Sequence, residues 1–277
     1  MKPIQNLQLI RTLTVVASLA GAIATHAQVV FTSFNTQTID FDSTLSGVSN
    51  GAFTGAGFQA SPADGQLDSD AWAITGFSDG ALAFSGTQLS ADYTRGVSTG
   101  PAGLTTAGVY SFTVSSGNAA MGVQPTAAEW TPGTITLRLQ NQTGAPIGSL
   151  DISYTVWVRN DEDRSNSLNF SHSSNNSTYT PVASLDFTSE AAKTASAPWV
   201  STSKTTTLTG LNVAADSYYF LRWTGDDVGG TGSRDLFAID DIAITAIGAP
   251  VPEPSTYAGF AGALLLGFGV WRRSRRS

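Results

Sequence analysis

Apolar and polar residues alternate along several segments of the chain. In residues 134–140 the isoleucine and two leucines point to one side, and the threonines, arginine and glutamine point to the other. A period of two residues is what a half-buried β-strand produces. The same period recurs elsewhere, and we predict strands over 38–41, 109–114, 134–140, 150–158, 179–187, 204–208, 218–223 and 237–245.

Clusters of Gly, Ser, Asn and Asp separate these strands and predict turns, for example at 116–118, 142–144 and 227–230. No stretch of residues 28–248 has the periodicity of an amphipathic helix. Many strands without intervening helices are typical of two packed sheets. We therefore predict that residues 28–248 form one all-β domain, an antiparallel β-sandwich or jelly roll.

The N-terminal segment has the three parts of a secretory signal. Lys2 and Arg11 supply positive charge, residues 13–24 are apolar, and Thr-His-Ala at 25–27 is a small-x-small cleavage site. We predict that residues 1–27 are a signal helix and that Gln28 begins the mature chain. An uncleaved signal anchor is the alternative, and it places the domain in the same exported compartment.

A second apolar segment, residues 257–271, lies near the C-terminus and contains no charged residue. A helix of this length reaches roughly 23 Å, short of the ~30 Å hydrocarbon core, so we predict a marginal transmembrane helix. Arginine clusters stay on the cytoplasmic side of a membrane. Residues 272–277 are therefore predicted to be a cytoplasmic tail, with a stop formed by Arg272, Arg273, Arg275 and Arg276.

Residues 249–256 form a predicted linker that contains Pro252, Glu253 and Pro254. The order Pro-Glu-Pro, short apolar helix and arginine cluster resembles the PEP-CTERM sorting signal of Gram-negative bacteria. The resemblance, carried by residues 250–277, implies that a membrane-embedded exosortase recognises the Pro-Glu-Pro motif, removes the helix and releases or re-anchors the exported domain. A chance proline pair before an ordinary tail anchor is the alternative.

Removing both ends changes the charge of what remains. The chain has 14 Lys and Arg and 21 Asp and Glu. Six of the cations and one of the acids lie in the terminal segments, so residues 28–248 carry 8 cations and 20 acids, a net charge near −12. Nucleic acid requires a basic surface, and we exclude it as a partner. Zero cysteines exclude disulfides and thiolate chemistry.

The last predicted strand carries a second resemblance. Residues 234–244 include the run Ile-Asp-Asp-Ile and are similar to the closing strand of MAM-like and related jelly-roll modules of cell-surface proteins. Residues 39–42 have the acidic and aromatic character of the first strand of such modules. The resemblance implies that the first and last strands pair and that their acidic residues hold a structural calcium.

The calcium ligands implied by this resemblance are Asp40, Asp42, Asp240 and Asp241, and we predict no other cofactor. Strand alternation separates Asp240 from Asp241 unless a bulge intervenes. The alternative is that these carboxylates cap loops or pair with arginines, namely Arg222 and Arg234.

Few residues are suited to catalysis. His172 is the only histidine after residue 27, and it lies in a Ser- and Asn-rich run. The acidic run 161–163 reads as a solvated turn and not as the facing carboxylate pair that glycoside hydrolysis requires. We predict that the chain is not an enzyme and has no catalytic residues.

Tryptophans bear on sugar binding, because an exposed indole can stack on a sugar ring. Trp130 and Trp199 lie beside prolines in predicted loops, where exposure is expected, and Trp157 lies on the polar side of its strand.

We predict an exported, non-catalytic cell-surface or extracellular-matrix protein, with an exosortase-type enzyme, the membrane and extracellular polysaccharide as partners. A carbohydrate-binding, lectin-like module is the alternative, and a glycan-active enzyme ranks third. Aligned exposed aromatics would favour the lectin-like module, and two carboxylates facing each other in a cleft would favour the glycan-active enzyme.

Overall fold

A computed structural model describes residues 28–250 and 254–275. Within these ranges the chain forms sixteen β-strands, two short 3-10 helices and one α-helix, which confirms the all-β class. The strands are β1 Val29–Phe31, β2 Thr36–Ile39, β3 Phe58–Gln59, β4 Leu67–Asp68, β5 Trp72–Thr75, β6 Val97–Ser98, β7 Gly108–Ser115, β8 Asn118–Gln124, β9 Gly133–Asn141, β10 Ile147–Arg159, β11 Arg164–Ser173, β12 Thr180–Pro181, β13 Phe187–Thr188, β14 Val200–Leu208, β15 Tyr218–Gly230 and β16 Leu236–Gly248.

The first sheet is centred on β9, β15 and β11. Strands β1 and β5 pair with the free side of β9, and β12 and β13 pair with the far side of β11. Its register places Trp223 opposite both Ile135 and Phe170. All three side chains therefore lie on the same face of the sheet.

The second sheet has the order β14, β10, β16, β8, β7 and β6, and β2 also pairs with β16. β2 covers residues 36–39 instead of the predicted 38–41, and it pairs with the closing strand β16, as the second resemblance implied for the first strand. The expectation of purely antiparallel sheets is wrong, because β1 pairs with β9 and β6 with β7 in parallel. These short strands reach their partners through loops and not through hairpins.

The two sheets pack face to face and enclose the main core. Tyr154 of the second sheet meets Trp223 of the first edge-on, with ring centres 5.4 Å apart. Leu137 and Leu221 of the first sheet and Ile239 of the second are fully buried in the same core. Each large apolar side chain buried in this way contributes about 1.5–3 kcal/mol relative to an exposed one. A cysteine-free sandwich is stabilised by this burial.

A smaller apolar cluster covers the outer face of the second sheet. Phe112 and Leu236 are buried there, and Trp157 and Trp199 pack against them. Trp157, on the polar side of its strand, therefore packs against this smaller cluster. The predicted exposure of Trp130 is wrong, because this side chain is fully buried, with its ring 5.2 Å from that of Phe77.

Two local predictions are also wrong. Residues 179–187 form β12, a 3-10 helix at Ala183–Leu185 and the start of β13 instead of one strand. Pro181 pairs with Ser171 of β11, and the Val182 N–H still donates to the Phe170 carbonyl, but the 3-10 helix then takes the chain out of the ladder. Residues 227–230 belong to β15 and not to a turn, because they pair with β11 and Asp227 forms an ion pair with Arg164.

The helix α1, Pro254–Ser274, contains the predicted apolar segment 257–271 and extends it at both ends. None of the helices in residues 28–250 and 254–275 combines the length and the apolar character needed to cross a membrane. Arg272 and Arg273 occupy the last helical turn and are exposed. Residues 1–27, 251–253 and 276–277, which include the predicted signal helix, Pro252, Glu253 and Arg276, lie outside the described residues.

Candidate functional site

An open cavity of about 540 Å³ lies between two loops at one end of the sandwich. One wall is the turn that follows β11, and the other is the connection from β14 to β15. Its lining includes His172, Ser173, Asn175, Thr178, Asn212 and Tyr219.

His172 and Tyr219 contact each other in the lining of this cavity. The Tyr219 hydroxyl lies 2.5 Å from His172 Nδ1, and the two rings stack with centres 5.8 Å apart. Burial raises the pKa of Tyr219 to about 12, so the phenol stays protonated at pH 7. Burial also lowers the pKa of His172. The imidazole is therefore neutral at pH 7, and its Nδ1 shares one hydrogen bond with the Tyr219 hydroxyl.

The turn after β11 is held by its own side chains. Asn175 Oδ1 accepts hydrogen bonds from the backbone N–H groups of Ser177 at 3.0 Å and Thr178 at 2.9 Å. Asn176 adopts a positive φ of 57°, which asparagine tolerates. This geometry shapes the cavity wall independently of any ligand.

Asn212 differs from Asn175. It is exposed on the opposite wall, and its side chain forms no hydrogen bond with any other residue that the structure describes. An exposed amide carries two donors and one acceptor. Asn212 is therefore free to bond a ligand without losing an internal contact.

The cavity lining includes no carboxylate and no cation. No acidic side chain in the described part of the chain hydrogen-bonds to His172, so a Ser-His-Asp arrangement is not formed there. In the acidic run 161–163, Asp163 pairs with Lys193 at 2.8 Å and Asp161 lies 3.6 Å from Arg159. These acids are thus paired at a turn and do not face each other across a cleft.

A second polar and aromatic surface lies on the outer face of the first sheet, next to the turn after β11. The guanidinium of Arg222 stacks on the Tyr179 ring, with Cζ 3.6 Å from the ring centre. Arg222 also donates to Thr136 Oγ1 at 3.0 Å and to Asn176 Oδ1 at 3.3 Å. We call these four residues the Arg222 cluster.

Aromatic residues continue this surface along β15. Phe220 lies two residues from Arg222 and so faces the same side, with Tyr218 beyond it. Phe84 packs on Phe220, with ring centres 5.7 Å apart, and Arg138 Cζ lies 4.6 Å from the Phe84 ring centre. Tyr218 is 39% exposed. The outer face therefore offers the partly exposed aromatics that the sequence analysis had sought among the tryptophans.

The structure brings the implied calcium ligands only partly together. A bulge in β16 interrupts the register at Asp240 and Asp241, and Asp241 has a positive φ of 49°. Burial, with smaller contributions from the nearby Asp241 and Asp42 carboxylates, raises the pKa of the Asp240 carboxyl to about 7. The Asp40 carboxylate instead accepts hydrogen bonds from Ser43.

Neither Arg222 nor Arg234 forms an ion pair with these four aspartates in the part of the chain that the structure describes. No group of three or more His, Cys, Asp or Glu residues within 28–250 and 254–275 is arranged to hold a metal. Calcium binding therefore stays a prediction. An unchanged Tm between millimolar calcium and excess chelator, in wild type and in Asp42→Ala, would contradict it.

Sequence reasoning did not identify Asn212, Tyr219 or Arg222 as site residues. Tyr219 and His172 are 47 positions apart and meet only because β15 pairs with β11. Only a weak signal for these residues is present in the sequence. Two tyrosines and Arg222 lie on one predicted strand, and alternation places Tyr219 and Arg222 on opposite faces of the sheet.

No family model matches the chain, and no curated protein matches it. Among solved structures, it is similar to TmCBM61 in complex with β-1,4-galactotriose, with 11% identity and a TM-score of 0.34 over 64% of this chain and 88% of that chain. It is also similar to the CBM22-1 and GH10 modules of Clostridium thermocellum endo-1,4-β-D-xylanase 10B complexed with xylohexaose, with 12% identity and a TM-score of 0.34 over 66% of this chain and 27% of that chain. These likenesses are too distant to assign a family or a ligand.

Proposed function

We propose that residues 28–248 form a non-catalytic carbohydrate-binding module of an exported protein. The observation that carries this proposal is the open cavity of about 540 Å³ with a lining of neutral hydroxyl, amide and imidazole groups. Its volume lies within the usual range of small-molecule sites, about 300–1,000 Å³. A neutral, hydroxyl-rich ligand matches this lining, because each polar group can exchange water for a sugar hydroxyl without burying an unpaired charge.

The cavity favours binding over hydrolysis. Glycoside hydrolysis needs two carboxylates about 5–9.5 Å apart around the scissile bond. The cavity lining contains none, and burial lowers the pKa of His172, so the imidazole is neutral. The lectin-like alternative therefore fits the geometry better than a purely structural surface protein or a glycan-active enzyme does.

Asn212 provides the test. We expect Asn212→Ala to weaken binding to the best neutral oligosaccharide on a glycan array about fivefold to tenfold, because one net hydrogen bond contributes about 1 kcal/mol or slightly more. The Tm should not change, since the side chain has no internal partner. Asn35→Ala is the control: it removes an exposed asparagine outside the cavity lining, whose side chain accepts one hydrogen bond from Gln37 at 3.3 Å.

Two results would contradict the module. One is a wild-type protein that binds no neutral glycan on the array. The other is binding that survives Asn212→Ala and Asn35→Ala equally, which would place the ligand elsewhere.

We also propose that the chain is exported and sorted by an exosortase-type system. The order of Pro-Glu-Pro, apolar helix and arginine cluster at residues 252–276 supports this proposal. Sorting and glycan binding are compatible, because a module that is released or re-anchored outside the cytoplasm would meet extracellular polysaccharide.

A further inference from the structure

Residues 28–248 contain eight cationic side chains, and the structure describes all of them. Five form ion pairs with aspartates within the described residues: Arg95, Arg138, Arg159, Arg164 and Lys193. The other three are Lys204, Arg222 and Arg234. In a domain with 20 acidic residues, a cation without a carboxylate partner is unusual and calls for a physical explanation.

Two of these three cations are used inside the fold. Arg234 is fully buried and donates to the backbone oxygens of Thr126 at 3.2 Å and Trp130 at 2.9 Å. Lys204 donates to the backbone oxygen of Asp186 at 2.5 Å. Their charges therefore stabilise local backbone.

Arg222 is different because it faces outward and its partners are all neutral. It is half-buried on the outer face of the first sheet, and its contacts are the Thr136 hydroxyl, the Asn176 amide oxygen and the Tyr179 ring. No carboxylate among the described residues pairs with it. Burial lowers the pKa of the Arg222 guanidinium, which reflects the cost of holding this cation without an anion.

We propose that the Arg222 cluster binds a carboxylate carried by the glycan, that is, a uronic acid unit; this inference rests on the proposed glycan binding. A guanidinium is planar and pairs with a carboxylate through two parallel hydrogen bonds. Stacking on Tyr179 fixes the guanidinium plane before the ligand arrives. Tyr218, which is 39% exposed, offers neighbouring aromatic surface for the sugar C–H groups.

The charge of the whole domain restricts this ligand further. A net charge near −12 repels a densely charged polyanion, whereas one carboxylate among neutral sugars meets mainly the local field of Arg222. The turn after β11 contributes Asn175 to the cavity wall and Asn176 to the Arg222 cluster. Neutral and acidic units of one sparsely charged polysaccharide would therefore lie on either side of this turn.

The test uses methyl β-D-glucuronide and methyl β-D-glucoside, which differ only in a carboxylate against a hydroxymethyl group. The full chain, ¹⁵N-labelled and kept in a detergent without a sugar headgroup, is titrated with each, and the arginine Nε–Hε signals are followed. We expect the glucuronide to bind at least about tenfold more tightly and to shift the Arg222 signal, because a hydrogen bond to a charged group contributes more than a neutral one.

Three variants make the result specific. Arg222→Gln should abolish the advantage of the glucuronide, and Arg222→Lys, which keeps the charge but not the planar fork, should restore part of it. Lys193→Gln removes one exposed positive charge from a surface ion pair and should leave the advantage unchanged. Unaltered melting curves would show that the variants are folded.

An equal affinity for both glycosides, or an advantage that survives Arg222→Gln, would overturn the inference. If neutral oligosaccharides still bind through Asn212 in that case, the proposed module stands and only the acidic ligand is wrong. If instead the glucuronide binds through Arg222 and no neutral glycan binds at all, the anion site stands and the proposed neutral-glycan cavity fails.

Discussion

Burial determines the protonation state of the Asp235 carboxyl. The residue is fully buried, and the loss of hydration raises the pKa of its carboxyl from 3.8 to about 6. Ser189 Oγ lies 2.6 Å from Oδ2, and the Glu162 N–H donates to Oδ1 at 3.2 Å. When protonated, Oδ2 can donate to the serine while Oδ1 still accepts from Glu162, so the neutral acid satisfies both contacts.

This shift predicts a stability that falls as pH rises. Between about pH 4 and pH 6 the folded chain holds a proton on Asp235 that the unfolded chain has lost, so the free energy of unfolding decreases with pH in this window. Asp235→Asn mimics the neutral acid and should be about 3 kcal/mol more stable than wild type at pH 8, and nearly equal to it at pH 4. Denaturant titrations at both pH values measure the difference.

Asp64→Asn, at an exposed aspartate, is the control. The free energy of unfolding of this variant should depend on pH as it does in wild type. In Asp235→Asn the free energy of unfolding should still decrease with pH to some extent, because burial also raises the pKa of Asp240, to about 7. A variant that is destabilised at pH 8 would show that Asp235 is needed as a carboxylate.

At the scale of elements, the junction of β9 and β15 is defined by glycine. Gly133 lies opposite Gly225 in the ladder, and the indole of Trp130 packs over both. A Cβ at Gly225 would overlap Trp130 Nε1, and one at Gly133 would overlap the fused ring. Glycine is thus required here because of close packing and not because of its backbone conformation.

Gly225→Ala should therefore destabilise the sandwich by about 1–3 kcal/mol, the usual cost of overpacking a core. Gly229→Ala is the matched control on the same strand, since nothing lies within 4 Å of its added Cβ. The Tm values of the two variants give the comparison. Equal Tm values would show that the Trp130 ring can move away without cost.

The elements that sequence analysis predicted are those with one clean apolar face. β9, β10 and β16 alternate regularly and were found with small errors at their ends. β11 was missed because it begins with polar residues that are nevertheless buried. Asn166, for example, donates its backbone N–H to the Ser189 hydroxyl, and its polar side chain gives no hydrophobic signal in the sequence. Hydrogen bonds from other strands, which the local sequence does not reveal, stabilise such a strand.

The candidate site could be predicted even less well, for the same reason. The cavity is built from two loops, and the Arg222 cluster is built from two strands and a turn. Their residues are far apart in the chain, so neither site forms a continuous sequence motif. What the sequence did indicate was a class of chemistry: few cations, one histidine after residue 27 and no cysteine, which excludes thiolate catalysis and nucleic-acid binding.

For the whole molecule, charge and burial act together. Residues 28–248 are strongly acidic, which favours solubility, and five of their eight cations are engaged by aspartates. A fold without disulfides depends on its core, and here one core spans both sheets. Such a domain is suited to function outside the cytoplasm without oxidative cross-links, which is the location that the terminal segments predict.

Processing at both ends is the prediction that belongs to this scale. If residues 1–27 are a cleaved signal and an exosortase-type enzyme acts at Pro-Glu-Pro, intact-mass analysis of the protein from its native envelope should show a chain that begins at Gln28 and lacks residues after the motif. Glu253→Gln keeps the shape of the motif and removes its charge, and we expect it to leave the C-terminal segment attached at least several-fold more often. Asp216→Asn, an exposed acid in the domain, is the control. Recovery of wild-type chain that still carries Arg272 to Arg276 would contradict the sorting proposal while leaving the glycan-binding site untouched.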